Sequence, residues 1–154
     1  MDERSLSQIH LFVPGRLCLF GEHSDWAGMY RTFNADIVKG AAIVSGTEQG
    51  IYATAEKADR FIMCGAGEIS EHWECEMESR KLLEAAQTGG YFSYVAGVAS
   101  YINDNYSVGG VKITVYKQDL PIKSGLSSSA AICVLVARAF RRYDLEMPHA
   151  SQMS

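Results

Sequence analysis

The stretch from Pro121 to Ala131, PIKSGLSSSAA, runs directly into the apolar segment Ile132 to Phe140. A flexible, hydroxyl-rich turn that opens a buried helix constrains the fold more than any other feature of the chain. The apolar positions Ile132, Leu135, Val136, Ala139, Phe140 and Tyr143 recur at helical spacing and give this helix one face for a core. Arg138, Arg141 and Arg142 fall near its C-terminal end, where the helix dipole favours positive charge. At its start, backbone N–H groups without intrahelical acceptors and a partial positive charge make a Gly-Leu-Ser-Ser-Ser turn suited to cradling a phosphate. Serine is also a common N-cap, and small residues permit close helix packing, so capping is the competing reading. One hydroxyl would suffice for a cap, and three follow one another here. Lys123 precedes Gly125, the reverse of the GxxxxGK[ST] order, which disfavours the common P-loop fold.

The rest of the chain reads as strands and helices that such a helix can pack on. Ile9 to Val13 is a strand stopped by Pro14-Gly15 and resumed by Leu17 to Phe20, after a polar and loose start over Met1 to Gln8. Ala41 to Ser45 and Ile51 to Glu56 read as the two arms of a hairpin, with Gly46, Gln49 and Gly50 between them and Phe61 to Cys64 a further strand. Ser79 to Gln87 is a short helix ended by Gly89-Gly90. Phe92, Val95, Ala96, Ala99 and Ile102 mark a second helix, and Val111 to Tyr116 a strand that leads through Asp119-Leu120-Pro121 into the serine turn.

With 14 Lys and Arg against 18 Asp and Glu and no basic run, the chain is mildly acidic, which disfavours nucleic acid and favours a small-molecule partner. No charged start leads into a long apolar stretch, so no membrane span or signal peptide is expected. The four cysteines form no CxxC pair, which fits buried thiols in a reducing cytoplasmic setting. Cys64, His72 and Cys75 are close enough in sequence to consider as metal ligands, but their spacing matches no common site and packing is the expected role.

A second cluster of chemistry lies at residues 14 to 28, PGRLCLFGEHSDWAG. Its composition suits a shaped loop, and it brings Arg16, Glu22, His23 and Asp25 around one strand and turn. Each alone is ordinarily exposed charge or a structural histidine. Together they offer carboxylates that can accept from several hydroxyls and an arginine matched to a phosphoryl group.

The two segments jointly resemble the GHMP kinase superfamily, whose members include galactokinase, homoserine kinase and mevalonate kinase. PGRLCLFGEHSDWAG is similar to the first galactokinase-type motif and LPIKSGLSSSAA to the phosphate-binding motif, in the family's order and at about its spacing. The resemblance spans roughly Phe12 to Phe140 and is vague between Thr47 and Gly110. It implies an α+β N-terminal domain filling residues 1–154, a mainly antiparallel sheet with helices packed on one face. It further implies ATP and Mg2+ as cofactors, with Lys123, Gly125, Leu126, Ser127, Ser128 and Ser129 around the triphosphate and Ser129 on the magnesium side. By the same resemblance Glu22, His23 and Asp25 hold the hydroxyls of a sugar, and Arg16 lies beside the transferred phosphoryl group. The implied reaction is transfer of the ATP γ-phosphoryl to a sugar or sugar-like hydroxyl.

Two departures qualify this expectation. After Gly28 the galactokinases resemble one another in a mostly apolar strand, whereas Met29-Tyr30-Arg31-Thr32-Phe33-Asn34 inserts Arg and Asn here. Galactose itself is thereby in question; an acidic or phosphorylated substrate and a plain strand-edge arginine both account for Arg31. The catalytic base and a later glycine-rich motif follow the serine turn in galactokinase-like enzymes, so the chain is expected to be an N-terminal domain without its C-terminal half, inactive alone. The alternatives are a mevalonate-type kinase, disfavoured by Asp25, and a non-catalytic sensor of sugar and nucleotide.

Overall fold

The computed structural model describes residues 8–22, 24, 27–65, 72–120 and 128–143. The start through Ser7 lies outside them, as do His23, Asp25, Lys123, Gly125, Leu126 and Ser127. In chain order the elements are β1 (Ile9–Phe20), α1 (Ala27–Tyr30), β2 (Ile43–Ala58), β3 (Phe61–Cys64), β4 (His72–Cys75), α2 (Ser79–Gln87), α3 (Tyr91–Asn105), β5 (Gly110–Gln118) and α4 (Ser128–Tyr143). The strands form one sheet in the order β1-β2-β5-β3-β4, antiparallel throughout except for the parallel pair β3 and β5.

Alternation along the strands decides which face the helices cover. Leu11 and Val13, Ile51, Ala53 and Ala55, Phe61 and Met63, and Val111, Ile113 and Val115 all point to one side and are buried. The residues between them, among them Phe12, Tyr52, Lys112 and Tyr116, face outward; there Lys112 Nζ lies 2.8 Å from Glu56 Oε1. The buried face receives α4 through Ile132, Leu135, Val136, Ala139 and Phe140, with Leu82 of α2 and Val95, Ala99 and Ile102 of α3 completing the same core. The mainly antiparallel sheet with helices on one face is the expected α+β architecture.

The strands depart from the sequence reading at their proline and glycines. Pro14-Gly15 does not stop β1, which runs on to Phe20 with a register shift between Pro14 and Arg16. β1 is an edge strand, so a residue without an N–H is tolerated there. Likewise Ala41–Ser45 and Ile51–Glu56 are not two arms of a hairpin: from Ile43 to Ala58 they are one strand. Gly50 sits in its middle because a Cβ there would overlap the Phe12 ring and the Val13 carbonyl of β1. The short β4 has no β-prone run to announce it. It is held through Trp73, which stacks on Phe92 at 5.6 Å and meets Phe61 edge-on at 5.5 Å.

Candidate active site

The backbone carries the two motif segments to one end of the sheet. β5 ends with Gln118 opposite Ile51, which is itself opposite Val13 of β1. Asp119 then fastens the exit from β5. Its Oδ1 accepts from the Gly50 N–H at 2.6 Å, its own N–H donates to the Gly50 carbonyl at 3.2 Å, and Lys117 Nζ lies 2.9 Å from Oδ2. The Gly50 N–H foremost, and then Lys117, hold this carboxyl below the usual carboxylate range. The chain re-enters the described structure at Ser128, the first residue of α4.

At its other end α4 lies against the beginning of β1. Arg138 Nη1 donates to the Phe12 carbonyl at 2.7 Å, and Arg138, Arg141 and Arg142 share a groove with Ile9, His10 and Leu11. From Arg138 back to Ser128 the helix rises about 15 Å. From Phe12 on to Arg16 the strand advances about 13 Å. Since α4 both starts beyond the end of β5 and finishes at the start of β1, its N-terminus points to the half of the sheet that carries Arg16.

Arg16 is exposed on β1, opposite Gly46 and just past the irregularity at Pro14. Beyond Phe20 the chain leaves the sheet in a loop whose neck is closed by Gly21 and Ser24. Gly21 has φ +85°, and a Cβ there would strike the Ala41 carbonyl. The Ser24 hydroxyl lies 3.0 Å from the Gly21 carbonyl and 2.8 Å from the Ala41 carbonyl, and it accepts from the Ala41 N–H at 3.3 Å. Glu22 is exposed in the turn between them. Within the loop, α1 gives way to successive turns, marked by Thr32 Oγ1 donating to the Met29 carbonyl at 2.7 Å and Asn34 Oδ1 accepting from the Asp36 N–H at 2.9 Å. The loop borders an open, shallow pocket of about 560 Å3 lined by Gly28, Arg31, Thr32, Ala35, Lys39 and Gly40.

Of the predicted site residues, Arg16, Glu22, Ser128 and Ser129 fall within the described structure, and all four belong to this end of the sheet. Ser129 is exposed and Ser128 half-buried in the first turn of α4, which holds no acidic residue and whose N–H groups have no intrahelical acceptor. Sequence reasoning missed Ser24, Arg31 and Lys39 as a set, because the contact that closes the loop spans 17 residues. Cys64 Sγ lies 3.4 Å from His72 Nδ1, whereas Cys75 packs against the core, so the three do not converge. No group of three His, Cys, Asp or Glu suited to a metal occurs among the described residues. None of the described helices is long and apolar enough to cross a membrane.

Residues 93–153 match the family described as GHMP kinases N terminal domain. The chain is 30% identical over 132 residues to a galactokinase of Thermotoga petrophila, an alignment covering 85% of this chain and 32% of that protein. It thus spans about a third of the length of the curated relatives it matches. Among solved structures, Lactococcus lactis galactokinase complexed with galactose superposes with a TM-score of 0.72 at 22% identity, covering 96% of this chain and 35% of that one. Methanococcus jannaschii mevalonate kinase follows with a TM-score of 0.65 at 21% identity, covering 90% and 41%.

Proposed function

Because the chain belongs to the GHMP kinase superfamily, whose N-terminal domain it carries, we propose that it serves ATP-dependent phosphotransfer to a hydroxyl of a sugar or sugar-like small molecule. The observation that supports the reading is that Arg16, Glu22 and the serine-rich start of α4 lie toward the same end of the sheet. The curated relatives named galactokinase favour a sugar as acceptor.

In this reading Glu22, His23 and Asp25 accept hydrogen bonds from acceptor hydroxyls and fix which one faces the phosphoryl group. The first turn of α4 with Ser127, Ser128 and Ser129, together with Gly125, Leu126 and Lys123, embraces the phosphates of ATP, the nucleotide that GHMP kinases use. N–H groups without intrahelical acceptors and an exposed Ser129, with no carboxylate in that turn, fit a phosphate. Ser129 would stand on the magnesium side, and magnesium, when bound, neutralises phosphate charge. Arg16 brings a permanent positive charge to the charge developing on the transferred group. In galactokinase-like enzymes the base that takes the hydroxyl proton follows the serine turn in a C-terminal domain, so the reading concerns phosphotransfer by an enzyme that carries both domains.

The test is phosphoryl transfer from MgATP by the natural protein across a panel of sugars and mevalonate. Transfer to a sugar is expected. Ser129→Ala should weaken MgATP use by about 10- to 100-fold, the size of a lost hydrogen bond to a charged group, with sugar affinity little changed, and Asp25→Ala should do the reverse. Transfer to mevalonate alone would move the assignment to a mevalonate-type kinase, the reading favoured by the second structural neighbour. Nucleotide binding without turnover on any acceptor would leave a sensor.

A further inference from the structure

The pocket bordered by the 21–41 loop carries charges that the proposed phosphotransfer does not use. Arg31 is half-buried, and its Nε is shut away from solvent with no hydrogen-bond partner among the described residues. Lys39 lines the same space. No described carboxylate pairs with either cation; Asp36, the acidic residue between them in sequence, is exposed and does not line the pocket. A half-buried guanidinium and an exposed ammonium that line one space, with no described carboxylate to balance them, leave that space cationic, and an anionic ligand offsets the charge. There is room for one: a Cβ added at Gly28 would meet nothing within 4 Å.

We infer that Arg31 and Lys39 form a subsite for an anionic group of the acceptor, a carboxylate or a phosphate ester. The fork of Arg31 can take two oxygens of either group side by side, and Lys39 adds a point charge. Glu22 and Gly28 belong to the same loop and Gly28 begins the wall of the pocket, so a ligand held at Glu22 can extend toward the two cations. That the anion belongs to a sugar rests on the phosphotransfer reading; the cationic pocket does not. The preferred acceptor is then an acidic or already phosphorylated sugar in place of a neutral one.

Calorimetric titration of the natural protein, without nucleotide, with galactose, glucose and mannose beside their uronic acids and 1-phosphates tests this. In at least one set the anionic member should bind about tenfold tighter than its neutral parent, as one charge-assisted contact implies, and Arg31→Gln and Lys39→Gln should each erase most of that advantage while sparing the parent. Uronic acid and phosphate arms show which anion is read. No anionic advantage in any set, or equal losses of parent and anion in Arg31→Gln, overturns the inference. The same sugars offered with MgATP separate the two readings. An anionic preference without phosphotransfer sinks the kinase and keeps the pocket, whereas transfer to neutral sugars without that preference does the opposite.

Discussion

Replacing Gly21 with alanine should cost little stability and most of the loop's function. In the native backbone Gly21 sits at φ +85°, where an L side chain costs roughly 1–2 kcal/mol. The new Cβ would also overlap the Ala41 carbonyl, a backbone atom that cannot rotate aside, and relieving such an overlap typically takes a further 1–3 kcal/mol. The protein has a cheaper escape, because the neck is held by the Ser24 hydroxyl against Gly21 and Ala41, with a net worth of about 1 kcal/mol per hydrogen bond. The neck therefore opens before the core yields, and the global loss is capped near 2 kcal/mol. For a domain of this length that is a fall in Tm of roughly 4–8 °C. Thermal melting should show this modest fall, while hydrogen exchange of the Ala41 amide loses its protection and anion binding by the loop collapses. Gly28→Ala is the control, since its Cβ meets open space and its place in α1 suits alanine; it should melt at or slightly above the parent. Unchanged Ala41 protection in Gly21→Ala would refute the closed neck.

Two further outcomes follow from the core. Phe140 is 1% exposed and meets Phe61 at 5.5 Å, so Phe140→Ala should cost about 3–5 kcal/mol, read as a fall in denaturant midpoint at unchanged slope. Burial foremost, with a lesser push from Cys133, raises Tyr91 to about 12. A group raised in the fold contributes stability that is complete below its unfolded value near 10 and is lost as pH climbs through its folded value. Denaturation followed from pH 9 to 12 should therefore show a loss in this window that Tyr91→Phe lacks, and an identical profile in the variant would contradict the burial of the hydroxyl.

How much of this fold could be read beforehand depends on whether the deciding contact is local. The bounds of α2, Ser79 to Gln87, and the buried face of α4 follow from side-chain periodicity within a few turns. The proline and glycines of β1 and β2 misled because their roles are cross-strand. Pro14 is harmless only on a sheet edge, and Gly50 is required because the Phe12 ring and the Val13 carbonyl of the neighbouring strand press on it. Four-residue β4 rests on Trp73 meeting rings from β3 and α3, and the parallel pairing of β3 with β5 links segments some 50 residues apart.

The site divides along the same line. Motif residues mark themselves by type, since three hydroxyls after a glycine or Glu and Asp around a histidine are unusual without a ligand. Arg31 is legible only as a departure after Gly28, with a plain strand-edge arginine as its rival, and Lys39 not at all, because a lone cation in a loop is normally solvated. Their meaning arises only when Ser24 reaches across to Ala41 and folds the loop back, turning two separated charges into one pocket beside Gly28. The neck and the pocket are thus one device. Ser24→Ala, which removes the hydroxyl but strains nothing, should therefore lower anion affinity along with Ala41 protection, and should do so without the backbone penalty that Gly21→Ala carries. If the loop held its shape by α1 and its turns alone, Ser24→Ala would leave both measurements where they were.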